Sequence, residues 1–148
     1  MQKLFLLLFA IPIFLSAQTP DLSKGWKIKM GDDMAWSKPE FNDADWKAID
    51  PMTFYENQGY DGYNGYSWYR VKFKMPYNLR KNSVLKDSVR FIVGRVDDID
   101  VTYLNGVKIG QTGRFPEEPG GALGFYDALR RYVLPVNAAA IRWDEENV

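Results

Sequence analysis

The chain has 148 residues, with 19 basic and 19 acidic side chains and a formal net charge of zero. No basic excess is available to neutralise phosphates, which argues against nucleic acid as a partner. It has no cysteine and no histidine, which removes disulfides, thiol nucleophiles, Ser-His-Asp and Cys-His catalysis and most zinc chemistry.

Residues 1–17 read as a secretory signal peptide. Lys3 supplies a positive start, residues 4–15 are an almost unbroken apolar run, and Ser16-Ala17 offers a small-residue cleavage site. The run is shorter than the roughly 20 apolar residues a membrane span needs. Pro12 would weaken a membrane helix as well. The expected product is one exported domain, residues 18–148, with no membrane association after cleavage. At about 131 residues it can bury roughly two-thirds of its unfolded surface without covalent staples.

Residues 26–30 alternate, with Trp26, Ile28 and Met30 on one face, as in a half-buried strand. Gly31-Asp32-Asp33 turns the chain. Residues 34–53 are irregular, with Trp36, Phe41 and Trp46 as anchors and a single helical turn expected after an Asp43 cap. Residues 54–67 form a loop with three glycines and four tyrosines. Residues 68–75 are the cleanest strand, with Tyr69, Val71, Phe73 and Met75 facing the core and Trp68, Arg70, Lys72 and Lys74 opposite. Residues 78–86 read as a basic, solvated connection. Residues 88–93, apolar on both faces towards their end, suit a central strand. Residues 99–104 and 107–110 flank Asn105-Gly106, the strongest short-range hairpin signal, which sets Leu104 opposite Val107 and Thr102 opposite Ile109. Residues 111–128 are a second Gly/Pro-rich loop. Residues 130–134 make a strand closed by Pro135, and residues 137–143 suit one or two helical turns. Short strands separated by turns, with no long helical period, predict an all-β antiparallel sandwich or jelly roll.

An ordered set of motifs carries a resemblance. It consists of Gly31-Asp32-Asp33 then Trp36, Phe41-Asn42-Asp43 then Trp46, Trp68-Tyr69-Arg70, Gly94 then Asp97-Asp98, Asn105-Gly106 with Gly110, and Arg131-Tyr132 with Leu134-Pro135. From about Trp26 onward the chain resembles the galactose-binding-like jelly-roll domain of glycoside hydrolase family 2, which includes β-galactosidases, β-glucuronidases and β-mannosidases. Similar modules sit beside sialate O-acetylesterase-type domains and in bacterial extracellular sensors. The resemblance implies a secreted or periplasmic, non-catalytic module of a glycoside hydrolase, with a carbohydrate ligand, a catalytic hydrolase domain as partner and no cofactor. In the family an Asn like Asn147 leads into a further apolar strand. The expectation here is a C-terminally incomplete domain that lacks that strand and the catalytic barrel.

The candidate carbohydrate site is Tyr60, Asp61, Tyr63, Asn64, Tyr66 and Trp68. Aromatic rings cover the apolar C–H faces of sugars, and neighbouring Asp and Asn bond the hydroxyls. In the alternative reading these rings fold over the core, the module is purely structural, and Tyr60, Tyr63, Tyr66 and Trp68 are buried. A third reading makes the chain a glycosidase through Glu56, Asp61, Glu117 or Glu118. With 19 acidic residues present, some pair at a plausible spacing is expected by chance. Asp97, Asp98 and Asp100 lack the alternating ligands, central Gly and closing Glu of a calcium loop. They read as turn-forming carboxylates paired with Arg95 or Arg131, and Arg70 reads as a partner of Asp98.

Overall fold

The computed structural model describes residues 19–148, so the leader read at residues 1–17 lies outside the described residues. Among the described residues there are nine strands: β1 (Lys27–Met30), β2 (Lys47–Ala48), β3 (Ser67–Arg70), β4 (Phe73–Lys74), β5 (Ser88–Arg95), β6 (Asp100–Leu104), β7 (Val107–Thr112), β8 (Leu129–Pro135) and β9 (Glu146–Asn147). They pair as β2-β1-β3, β4-β9, β5-β8 and β6-β7, every ladder antiparallel. The chain is an all-β, antiparallel sandwich, as its strand pattern predicts.

The two faces of the β2-β1-β3 ladder differ in what they meet. Its register pairs Ile28 with Tyr69 and Lys47, which places them on one face; Lys27 opposite Arg70 and Lys29 opposite Trp68 define the other. Against that second face folds the segment from Met34 to Trp46. Trp36 and Phe41 each meet Trp46 edge-on, and the Arg70 guanidinium lies over Phe41 and Trp46. Arg70 is 4% exposed. Its Nε donates to Asp43 Oδ2 at 3.1 Å, and its Nη1 donates to the carbonyls of Trp36 and Lys38. Lys27 Nζ donates to the other Asp43 oxygen at 2.8 Å.

Two expectations are corrected here. Asn42, not Asp43, caps the following turn, by accepting from the Ala44 amide. Arg70 pairs with Asp43 and not with Asp98, because the segment carrying Asp43 lies directly over the β3 face on which Arg70 stands.

The strand expected over residues 68–75 is broken. Arg70 and Val71 are both buried, yet successive residues of a flat strand point to opposite sides. Pairing lapses at Val71-Lys72 and resumes at β4. Pro76 then caps a helix, α1 (Tyr77–Asn82), where a loop is expected. Residues 137–143 form turns rather than helix, closed by Ala138 to Pro135 and Ile141 to Ala138 backbone bonds.

The second core gathers Met75, Val89, Phe91, Leu104, Leu134, Ala140 and Ile141. β8 alternates strictly between exposed and buried residues. Asn105 and Gly106 both take left-handed φ, 50° and 82°, and Leu104 faces Val107 as expected. A bulge after Thr102 then gives Thr102 the partner Gly110 in place of Ile109. Arg130, only 1% exposed, donates through Nε to Asp100 Oδ1 at 2.7 Å, and through its other nitrogens to the carbonyls of Phe125, Ala128 and Asp98. The expected pairing of the 97–100 carboxylates with Arg95 or Arg131 is therefore replaced by Arg130. Arg131, its neighbour on β8, faces outward, and Arg95 donates to the Asp127 carbonyl.

Asn147 is fully buried. Its carboxamide donates to the carbonyls of Arg142 and Glu145 and accepts from the Arg142 amide and from Asn105 Nδ2.

Candidate functional site

The Tyr/Gly loop is built from local bonds. Residues Tyr55–Gln58 make a 3-10 turn that stops at Gly59, with φ of 97°. Gln58 ties the preceding segment down: its oxygen accepts from the Asp50 amide, and its nitrogen donates to the carbonyls of Asp50 and Thr53. Tyr63 folds back on its own loop and donates to the Tyr66 carbonyl at 2.7 Å. Gly65 permits this, since a Cβ there would stand 2.9 Å from the Tyr63 hydroxyl.

These constraints divide the six expected residues. Tyr60 lies on the Ile28 side, where Lys47 Nζ stands 5.6 Å from its ring. Tyr69 shares that side. It is 37% exposed, which corrects its expected core position. Burial, and then the neighbouring Tyr55, Glu56 and Tyr60, push its phenol up to about 12. Asp61 and Asn64 are exposed. Tyr66 and Trp68 lie together on the opposite side. Tyr60, Tyr63 and Trp68 are half-buried and Tyr66 is 40% exposed, so the four rings are not sealed beneath the surface as the purely structural reading requires.

Around Tyr66 and Trp68 the fold assembles partners from three distant segments. The Gly31 amide donates to the Tyr66 carbonyl at 2.8 Å, which carries the β1-β3 ladder one step further. Asp32 follows immediately, and its Oδ1 accepts from Trp68 Nε1 at 2.7 Å. Tyr103, from β6, stacks on Trp68 with ring centroids 5.5 Å apart and planes 19° from parallel. Its hydroxyl donates to Met34 Sδ. Trp36 supports Trp68 edge-on at 6.2 Å. From the second Gly/Pro-rich loop, Phe115 lies 5.5 Å from the Tyr66 ring, and Glu117 Oε1 accepts from the Tyr66 hydroxyl at 2.9 Å. The result is a shelf of four aromatic rings bordered by two exposed carboxylates, Asp32 and Glu117.

The bond to Glu117, then burial, then the charges of Glu117 and Asp32 raise the Tyr66 phenol above its ordinary value. Burial and then Asp32 raise Tyr103. Asp32 therefore acts on both rings.

Asp32, Tyr103 and Phe115 are candidate site residues that sequence reasoning missed, and Glu117 was named only as a possible glycosidase carboxylate. A signal existed for Phe115 and Glu117, an aromatic and a carboxylate inside a second flexible loop. Nothing in the local pattern around Tyr103 joins it to Trp68. Of the remaining loop acids, Glu118 is engaged by the Phe115 amide and Gln111. Among the described residues, no cluster of His, Cys, Asp or Glu is placed to hold a metal ion.

Neither a protein-family model nor a curated protein matches this chain. Solved structures do. A β-glucuronidase of Bacteroides uniformis superposes with a TM-score of 0.61 at 18% identity over 87% of this chain. Bacteroides uniformis β-glucuronidase 2, covalently bound to cyclophellitol-6-carboxylate aziridine, gives the same values. A glycosyl hydrolase family 2 member from Bacteroides cellulosilyticus gives 0.53 at 16% identity over 86%. This chain spans 14% of the length of the first two and 16% of the third. At these identities the likeness is one of fold: the chain shares the architecture of a small part of family 2 glycoside hydrolase chains.

Proposed function

We propose that this chain is a non-catalytic, carbohydrate-binding accessory module of a secreted glycoside hydrolase, of the galactose-binding-like jelly-roll type. The observation that carries the reading is the shelf of Tyr66, Trp68, Tyr103 and Phe115 with Asp32 and Glu117 at its border. Rings suit the C–H face of a sugar, and carboxylate oxygens suit its hydroxyls. The likeness to a small share of family 2 hydrolase chains supports the accessory role. Of the loop residues first expected to bind, Tyr60 lies on the other side of the ladder, and Asp61, Tyr63 and Asn64 are secondary to Trp68.

Calorimetric and NMR titration with galactosides, glucuronides, mannosides and sialosides tests this. Weak saturable binding is expected for at least one class. Trp68→Ala should weaken it at least about tenfold, because ring stacking and buried apolar area together exceed about 1.4 kcal/mol. Tyr60→Ala, on the other side of the ladder, should leave it within a factor of about two, the size of a surface change of ±0.5 kcal/mol. No saturable binding to any class overturns the reading.

One observation favours a second reading, a structural module beside a catalytic, sialate O-acetylesterase-type or sensor domain. Met52 and Phe54 are among the most exposed apolar side chains, and Asp50 and Gln58 hold their loop in shape. A preorganised apolar knob suits a protein pocket. Failure of the sugar titration would leave this reading standing.

A further inference from the structure

The hydrogen-bond donors of the shelf are already spent. Trp68 Nε1 is taken by Asp32, the Tyr66 hydroxyl by Glu117 and the Tyr103 hydroxyl by Met34 Sδ. What the shelf still offers is acceptor capacity: the second oxygen of Asp32, the second oxygen of Glu117 and the lone pairs of the two phenols. Among the described residues, the cations beside the rings already hold partners: Lys108, cross-strand from Tyr103, donates to the Gln111 carboxamide oxygen at 2.5 Å. Lys29 Nζ stands 5.4 Å from the Trp36 ring centroid and is bonded to Asp45 at 3.0 Å. Arg114, next to Phe115, donates to the carbonyls of Gly120 and Gly121.

Resting on the carbohydrate reading, we infer that this shelf is selective for neutral, hydroxyl-rich glycosides and disfavours uronates, because its free polar groups are acceptors with negative charge and, among the described residues, the cations beside it already hold other partners. A hexose hydroxyl donates to Asp32 or Glu117. A C6 carboxylate in the same place is repelled by them. Two unit charges a few ångströms apart at a solvated surface differ enough in energy for a several-fold preference, and salt weakens it.

The test compares sugars that differ only at C6: methyl β-glucoside with methyl β-glucuronide, and methyl β-galactoside with methyl β-galacturonide. Each is titrated into the full chain at neutral pH and low salt, with Trp fluorescence and NMR shifts as readouts. The neutral member of any pair that binds should be tighter by at least about fivefold. High salt should narrow the gap, and so should the double variant Asp32→Asn, Glu117→Gln. Asn and Gln keep an acceptor oxygen for Trp68 and Tyr66, and far-UV circular dichroism checks the fold. If the double variant fails to fold, the salt series on the parent chain decides alone. A uronide that binds as tightly as its neutral partner, or a ratio unmoved by salt or by the folded double variant, overturns the selectivity and leaves carbohydrate binding intact. If no member of either pair binds, the selectivity falls; whether the carbohydrate reading falls with it is decided by the mannosides and sialosides of the wider panel.

Discussion

Arg70 is a permanent charge sealed from water, and the region around it is arranged to tolerate that. A carboxylate, two carbonyls and two aromatic faces surround its guanidinium. Burial pushes the Asp43 carboxyl up, but the hydrogen bonds from Lys27 and Arg70 prevail and hold it below the ordinary carboxylate value. Among the described residues, Arg70 Nη2 and Trp46 Nε1 have no hydrogen-bond partner, so the network has no acceptor to spare. Removing Asp43 strands a buried cation. Asp43→Ala should therefore cost about 3–5 kcal/mol in urea unfolding. Adding Arg70→Met to that variant should recover part of the loss, since an apolar residue of similar volume carries no unmet charge. A loss within the range of an ordinary surface change would refute the assignment.

At the scale of elements, β7 meets β8 through a missing side chain. A Cβ on Gly110 would fall 2.0 Å from the Tyr132 ring, and that ring's hydroxyl is held by Asp100 and Thr112. Gly110→Ala should destabilise by at least about 1–3 kcal/mol, the usual cost of overpacking, seen as a lower thermal midpoint. An unchanged midpoint would show that the ring moves aside. This element was partly legible in the sequence. The Asn105-Gly106 turn announced the hairpin through its need for positive φ, and β8 announced itself by alternation. The bulge after Thr102 was not legible, because it answers to the close approach of Tyr132 across the sandwich. The break at Val71-Lys72 was hidden for a similar reason: alternation assigns Arg70 to solvent, and only the distant Asp43 explains why it is buried. The shelf was half legible. Tyr66 and Trp68 lie in a segment rich in rings and glycines, whereas Asp32, Tyr103 and Glu117 join them only through tertiary folding.

At the scale of the whole molecule, charge is nearly constant over a wide pH range, since no histidine is present to titrate. Stability should be flat from about pH 5 to 9. Above that, Tyr69 governs one limit. Its folded value is raised from 10.0 to about 12, so the unfolded chain loses its proton first. The stabilisation is complete below pH 10 and is lost as pH rises through 12. Asp43 sets the acid side with the opposite sign: its folded value is lowered from 3.8, so its contribution is present above that value and fades as pH falls through the folded one. Chemical denaturation across pH, with tyrosinate absorbance followed above pH 9, checks both limits. A stability maximum that shifts with Tyr69→Phe only on the alkaline side is the expected signature.

The hairpin turn has one more consequence. Asn-Gly pairs age by deamidation, when the glycine nitrogen attacks the carbonyl carbon of the asparagine side-chain carboxamide, expels ammonia and closes a succinimide ring. In Asn105 that carboxamide is clamped by the Ala140 carbonyl, Asn147 Oδ1 and the Val148 amide. Those bonds must break before the ring can close. The fold thus shields this Asn-Gly link, whereas the exposed Asn64-Gly65 pair has no such clamp among the described residues, and isoaspartate at position 105 would record time spent unfolded.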